Sequence, residues 1–220
     1  MKSAVCTLAE LGEDLVLAPE RHLVARATHA GRDTVALGEL VIERRERLET
    51  RDVPRALVLD TTHARDGVLD IGLRRDGETN GGPKSTKKLV HEGDLIVSRL
   101  RPYLRQIALV HPQALALSGR PLLAVSTEFY VLSPPTKRAR GEDADIAFLV
   151  PFLLGDEAQA VLAASQEGGH HPRVPRATLF ALRVPRSLVA ARTATNRAVR
   201  RALDAVYRAN DAWRAALTIR

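Results

Sequence analysis

Apolar positions along this 220-residue chain form short, dense runs in the first two thirds and a long periodic stripe at the end. The runs read as strands. Ala56-Leu57-Val58-Leu59 is bounded by Pro54 and by Asp60-Thr61-Thr62, and residues 67–71 alternate apolar and polar. Residues 95–100 and 104–110 are expected to pair around a corner at Pro102, and residues 122–132 supply another strand. Loops are expected at 76–88, around Asn80-Gly81-Gly82-Pro83, and at 133–145. Near the N-terminus, Leu8, Leu11, Leu15 and Leu17 fit a short strand or helix. The main domain starts at Val35-Ala36-Leu37-Gly38-Glu39-Leu40.

After residue 145 the period lengthens. Phe148, Phe152, Ala158, Val161 and Leu162 recur at near-helical spacing, with Pro151 in the first turn and Gly168-Gly169 as a stop. Residues 172–185 read as extended, with a strand at 179–184. Residues 188–217 read as one helix of about 45 Å. Along it Val199, Leu203, Val206, Asn210, Trp213 and Leu217 step by four and three, the spacing of a coiled-coil seam, with Asn210 placed to fix register. The helix either folds back on its own domain or pairs with a helix of a partner or a second copy. The expected fold is α+β: a small mixed, twisted β-sheet with flanking helices, plus one long C-terminal helix. The expected division is an N-terminal extension (1–34), a main domain (35–186) and a spacer or dimerisation helix (187–220).

Composition adds a partner class. The net charge of +7 favours a polyanion, and nucleic acid is the commonest one. Aromatics are 4%, so aliphatic side chains must fill the core. A single cysteine, Cys6, excludes a disulfide framework and a cysteine-rich zinc site. Acids at Glu10, Glu13, Asp14 and Glu20 break any signal-like apolar run, and no run approaches the length of a membrane span. A cytoplasmic protein with no membrane partner is expected.

The most informative stretch is 93–106, Gly-Asp-Leu-Ile-Val-Ser-Arg-Leu-Arg-Pro-Tyr-Leu-Arg-Gln. On a continued strand Arg99 and Arg101 share one face, and a rigid pair of guanidiniums suits phosphate or the edge of a guanine. This stretch, with Ser126-Thr127-Glu128-Phe129-Tyr130-Val131-Leu132, resembles the target-recognition domain of type I restriction-modification specificity subunits. The resemblance covers roughly 35–217 and extends to the turn Gln166-Glu167-Gly168-Gly169-His170-His171-Pro172-Arg173, where the two histidines depart from the pattern. Such subunits normally carry two recognition domains joined by antiparallel spacer helices. This chain is similar to half of one.

The resemblance implies a non-catalytic subunit without a cofactor of its own. It would bind double-stranded DNA and direct a partner adenine methyltransferase, with a restriction subunit as a further partner and a homodimer through the terminal helix. Candidate DNA contacts are Lys84, Lys87 and Lys88 in the expected loop, Arg99, Arg101, Tyr103 and Arg105 around the corner, and Arg173 and Arg176 beyond. An arginine of the corner is alternatively a brace, paired with Glu128. The other reading is a protein-interaction adaptor of a phage-defence complex that no longer reads DNA.

Catalytic patterns are incomplete. Ser133-Pro134-Pro135-Thr136 lacks the aromatic of the methyltransferase motif, and no glycine-rich cofactor loop accompanies it. Ser85-Thr86-Lys87-Lys88 has Ser-x-x-Lys spacing without companion motifs. Asp60, Asp66 and Asp70 lack the acid-x-Lys pair of a nuclease. His170-His171 without acidic or cysteine neighbours makes a poor metal site.

Overall fold

The computed structural model describes residues 33–73, 86–135, 145–168 and 172–218. Lys84, the histidine pair and residues 1–32 lie outside them. In chain order the strands are β1 (Thr34–Ala36), β2 (Ile42–Glu43), β3 (Ala56–Leu59), β4 (Ala64–Arg65), β5 (Val68–Leu69), β6 (Lys87–Val90), β7 (Leu95–Ser98), β8 (Ile107–Leu109), β9 (Leu122–Ser126), β10 (Phe129–Ser133) and β11 (Arg183–Pro185). The helices are α1 (Leu37–Leu40), α2 (Pro112–Ser118), α3 (Leu149–Leu154), α4 (Asp156–Ala164), α5 (Arg176–Ala181), α6 (Arg186–Ala190) and α7 (Arg192–Thr218). The fold is α+β, with small sheets, flanking helices and a long terminal helix.

The central sheet runs β2-β10-β7-β8, all antiparallel, with Phe129 opposite Ser98 and Leu95 opposite Leu109. β7 and β10 are buried on both faces, which is why Leu95-Ile96-Val97 and Phe129-Tyr130-Val131-Leu132 are unbroken apolar runs, not alternations. A second sheet, β3-β9-β6, pairs β3 parallel and β6 antiparallel to β9. Residues 44–48 stitch the two sheets together. The Arg44 amide donates to the Val131 carbonyl, the Leu48 amide donates to Lys87 and Glu46 accepts from Leu89.

At the turn before β7, Asp94 is 1% exposed, and its carboxylate gathers two bonds from Arg44 (2.9 and 3.3 Å), the Ser133 hydroxyl at 2.6 Å and the His91 amide at 2.8 Å. A buried carboxylate is tolerated because this set of donors replaces its water.

Several sequence expectations need correction. The single strand at 122–132 is two strands hinged at Thr127-Glu128. Residues 67–71 are not one strand: Asp66 and Gly67 both take positive φ (49° and 90°) and make the two-residue turn of the β4–β5 hairpin. Lys87 and Lys88 open β6 and are not in a loop. The helix expected at 146–167 is divided at Gly155 and ends at Ala164, before Gly168. Residues 176–181 are helical, with the strand confined to 183–185. The terminal helix is interrupted at Ala191.

One face of α7 is packed into the fold. The Asn196 side chain accepts from the Phe148 amide at 2.5 Å and donates to the Asp145 carbonyl. Arg200 pairs with Asp145 at 2.5 Å, and Arg214 with Asp70 at 3.1 Å. Tyr207 is buried, its hydroxyl bridging the amide and carbonyl of Leu69 at 3.1 Å each, and its ring stacks on His111 with centroids 5.2 Å apart. Burial pushes the Tyr207 phenol up to about 12 and the His111 imidazole down.

The expected seam is therefore split. Leu203 is buried and Val199 half-buried against the domain, whereas Val206, Trp213 and Leu217 face solvent and Asn210 sits between. The domain is gripped by Asn196, Arg200, Leu203, Tyr207 and Arg214, a face that overlaps the seam at Leu203 and is rotated from the rest of it. Among the described residues no helix is long and apolar enough to cross a membrane.

Candidate nucleic-acid interface

The chain after β2 is extended, so alternate side chains of Glu43-Arg44-Arg45-Glu46-Arg47 point to opposite sides. Arg44 turns inward to Asp94, while Glu43, Arg45 and Arg47 share the other side. There they line a shallow, open concavity with Thr86, Lys88 and Thr127. β6 brings Lys88 beside them through the Arg47–Lys88 bridge.

Glu43 is the hub of this face. Its side chain is 6% exposed and takes Arg176 at 2.8 Å, Arg45 at 3.1 Å and Lys88 at 3.4 Å. Burial drives the Glu43 carboxyl up, but the bonds from Arg176 and Arg45 and the charge of Lys88 outweigh it and hold its pKa below the usual value. Lys88 is lowered by burial, which Glu43 only partly offsets. Its ammonium also donates to the Phe129 carbonyl at 2.7 Å.

Tyr130 lies beneath. The guanidinium of Arg99 sits 5.3 Å and the ammonium of Lys88 5.9 Å from its ring centroid, and its hydroxyl donates to the Val174 carbonyl at 2.9 Å. Burial raises the Tyr130 phenol. On the far side Arg173 grips Glu128 in a two-bond fork (2.9 and 2.6 Å), which holds the guanidinium above its ordinary pKa. Arg176 stacks on Phe180 at 4.0 Å. Lys88 and Arg99 thus lie against the Tyr130 ring, Arg45 and Arg176 join Lys88 on Glu43, Arg47 lines the same concavity, and Arg173 holds Glu128. Ion pairs to Glu43 and Glu128 hold Lys88, Arg176 and Arg173 in place, whereas Arg45 and Arg47 are exposed.

The arginine corner differs from the expected strand. β7 ends at Ser98, so Arg99 and Arg101 do not project together from a strand face. Arg99 lies over Tyr130, with its amide donating to Glu128 and its carbonyl accepting from Val174. Arg101 and Arg105 both have left-handed backbones (φ 44° and 49°) flanking a 3-10 turn at Pro102–Leu104. Such conformations cost about 1–3 kcal/mol each and persist only where the surroundings impose them. Here the buried Pro102 ring and the bonds Leu104 to Arg101 and Arg105 to Pro102 do so. Arg105 pairs with Asp156 at 2.6 Å. The Glu128 carboxylate takes the two-bond fork of Arg173, while Arg99 of the corner donates its amide to the Glu128 carbonyl.

The structure therefore brings Lys88, Arg99, Arg173 and Arg176 to one face and places Arg101, Tyr103 and Arg105 in the adjoining turn. Lys87 lies on β6. Arg45 and Arg47 are the additions. Their signal was available in the alternation Glu43, Arg45, Arg47 directly after the apolar Val41-Ile42, but a two-residue strand is too short to stand out from a charge run. Among the described residues no group of three or more acids, histidines or cysteines is placed to hold a metal.

No family model matches the sequence, and no curated protein matches it. Among solved structures, a chain from the complex of a type I R-M system is similar, with a TM-score of 0.53 at 23% identity over 82% of this chain. The match spans 43% of that chain, so this chain covers less than half of its structural neighbour. At this identity the likeness is one of fold.

Proposed function

We propose that this chain is the sequence-specific, double-stranded-DNA-binding specificity subunit of a type I restriction-modification system. It directs a partner adenine methyltransferase, and a restriction subunit with it, to the target site, and needs no cofactor of its own. The observation that carries the reading is the basic cluster on Glu43 and Tyr130, built on a fold similar to that of a chain of such a system. Phosphate contacts from such a face position the duplex, and base edges are read by side chains held at its rim. A randomised duplex pool, bound and recovered repeatedly by the full chain, should become enriched in one defined sequence. A pool that stays flat while binding persists would leave a DNA-binding protein without a specificity role, and absence of binding would favour the adaptor reading.

The open stripe on α7 supports pairing of two copies. Val206, Trp213 and Leu217 are exposed together with Ala202, Ala209 and Ala216, and Trp213 and Leu217 are 64% and 67% exposed. A bare tryptophan and leucine on a helix otherwise flanked by arginines are what a second helix would cover. Two-fold pairing would present two DNA faces to a bipartite, symmetric site. The full chain should sediment as two copies, and Trp213→Ala should shift it toward one. A wild-type chain that stays single at all concentrations and on DNA would remove this part of the reading.

A further inference from the structure

The turn between β7 and β8 presents apolar side chains to solvent although buried positions lie beside it. Pro102 is buried, yet Tyr103 is 69% and Leu104 39% exposed. The turn is not loose. Leu104 and Arg105 donate to Arg101 and Pro102 (2.9 and 2.8 Å), the Arg105 carbonyl accepts from Asp66 and Ile107, and Asp156 holds the Arg105 guanidinium. A rigid tip carries an aromatic ring and a leucine outward, with a cation on each shoulder. Arg101 is exposed and makes no ion pair among the described residues.

The tip also has a defined place. It starts two residues after Arg99, at the edge of the central sheet where β7 ends and β10 begins. Lys88 reaches that same edge through the Phe129 carbonyl, and residues 44–47 run toward it after pairing at Val131. The exposed apolar tip therefore stands at the end of the sheet from which Arg99 and Lys88 reach Tyr130; Asp156 neutralises Arg105 on one shoulder, and Arg101 on the other is the cation open to a phosphate.

We infer that the Arg101–Arg105 turn is a wedge for duplex DNA, with Tyr103 and Leu104 entering at a base step and Arg101 taking the flanking phosphate. This rests on the DNA-binding reading above and adds a mode of contact to it. Apolar side chains inserted at a step partly unstack the bases, and a step's resistance to unstacking depends on its sequence. The turn would thus contribute to sequence choice without hydrogen bonds to base edges.

The test places a tryptophan at the tip. In the full chain, Tyr103→Trp combined with Trp213→Phe leaves one indole, and the probe is a randomised 30-base-pair duplex at low salt. Stacking on bases should quench its emission by more than half and shield it from acrylamide. Tyr103→Ala should weaken binding about tenfold with an unchanged salt slope, because a stacking contact and not a phosphate contact is lost. Tyr103→Phe should bind as the unaltered chain does. Since Tyr103 is exposed, Tyr103→Ala and Tyr103→Phe should melt with the unaltered chain, and the indole variant with Trp213→Phe alone. If duplex binding is salt-dependent and weakened on changing Arg45 and Arg47, but the indole is unquenched and Tyr103→Ala binds normally, the wedge alone is overturned. If no variant and no unaltered chain binds duplex, the wedge falls together with the DNA-binding reading.

Discussion

Changing Arg45 and Arg47 together to alanine should weaken binding to all duplex sequences alike and flatten its salt dependence. Each phosphate neutralised contributes about 0.9 to the slope of log affinity against log salt, so losing two contacts should reduce the slope by about 2. Both side chains are exposed. Arg45 shares Glu43 with Arg176 and Lys88, which remain. Stability should therefore change by no more than about 0.5 kcal/mol. Fluorescence anisotropy with a labelled random duplex between 50 and 200 mM salt reads the slope, and thermal unfolding supplies the control. A double variant with lower affinity but an unaltered slope would mean that these arginines do not meet phosphate.

Truncating Tyr207 should be the most damaging single change for the docking of α7. Tyr207→Ala removes a buried ring packed on His111 and leaves both polar groups of Leu69 without their partner, at a cost of about 3–5 kcal/mol. For a domain of this size that is roughly a 6–20 °C fall in melting temperature. Tyr207→Phe isolates the hydroxyl and should cost about 1–3 kcal/mol. Differential scanning calorimetry separates the two, and equal effects of both substitutions would place the whole contribution in the hydroxyl.

Much of the fold was written plainly in the chain. Leu95-Ile96-Val97 is a strand buried on both faces, and Ala56-Leu57-Val58-Leu59 is one that buries Leu57 and Leu59 while Ala56 and Val58 are half-buried. The Asp66-Gly67 turn carries its own hairpin signal, obscured by the alternation that follows. Arg176–Ala181 was harder. Six residues give less than two helical turns, too little period to separate a helix from a strand, and Pro175 suits either.

The terminal helix shows another limit. About 60° of helix surface separates Val206 from Leu203 on one side, and about 40° separates Tyr207 on the other. A seam counted by leucines and valines therefore runs close to, but not along, the face that the domain takes. Only the partners Leu69, His111 and Asp145 decide between them, and they lie far away in sequence.

At the basic face, residue types were legible but roles were not. Lys88 and Arg176 looked alike as surface cations, yet both converge on Glu43 from positions 45 and 133 residues distant in the chain. The arginine corner drew attention as a strand with two forks. Its chemistry lies instead in a strained turn that holds a tyrosine outward, a property of φ angles that no pattern of side chains displays.

The central claim is that a built cluster of cations on this fold binds the DNA backbone. The affinity of the full chain for random duplex DNA, measured at a series of salt concentrations, tests it most directly. Four to six phosphate contacts predict a linear fall of log affinity with log salt at a slope of about −4 to −5. A slope near zero, or no binding at 50 mM salt, would contradict the account.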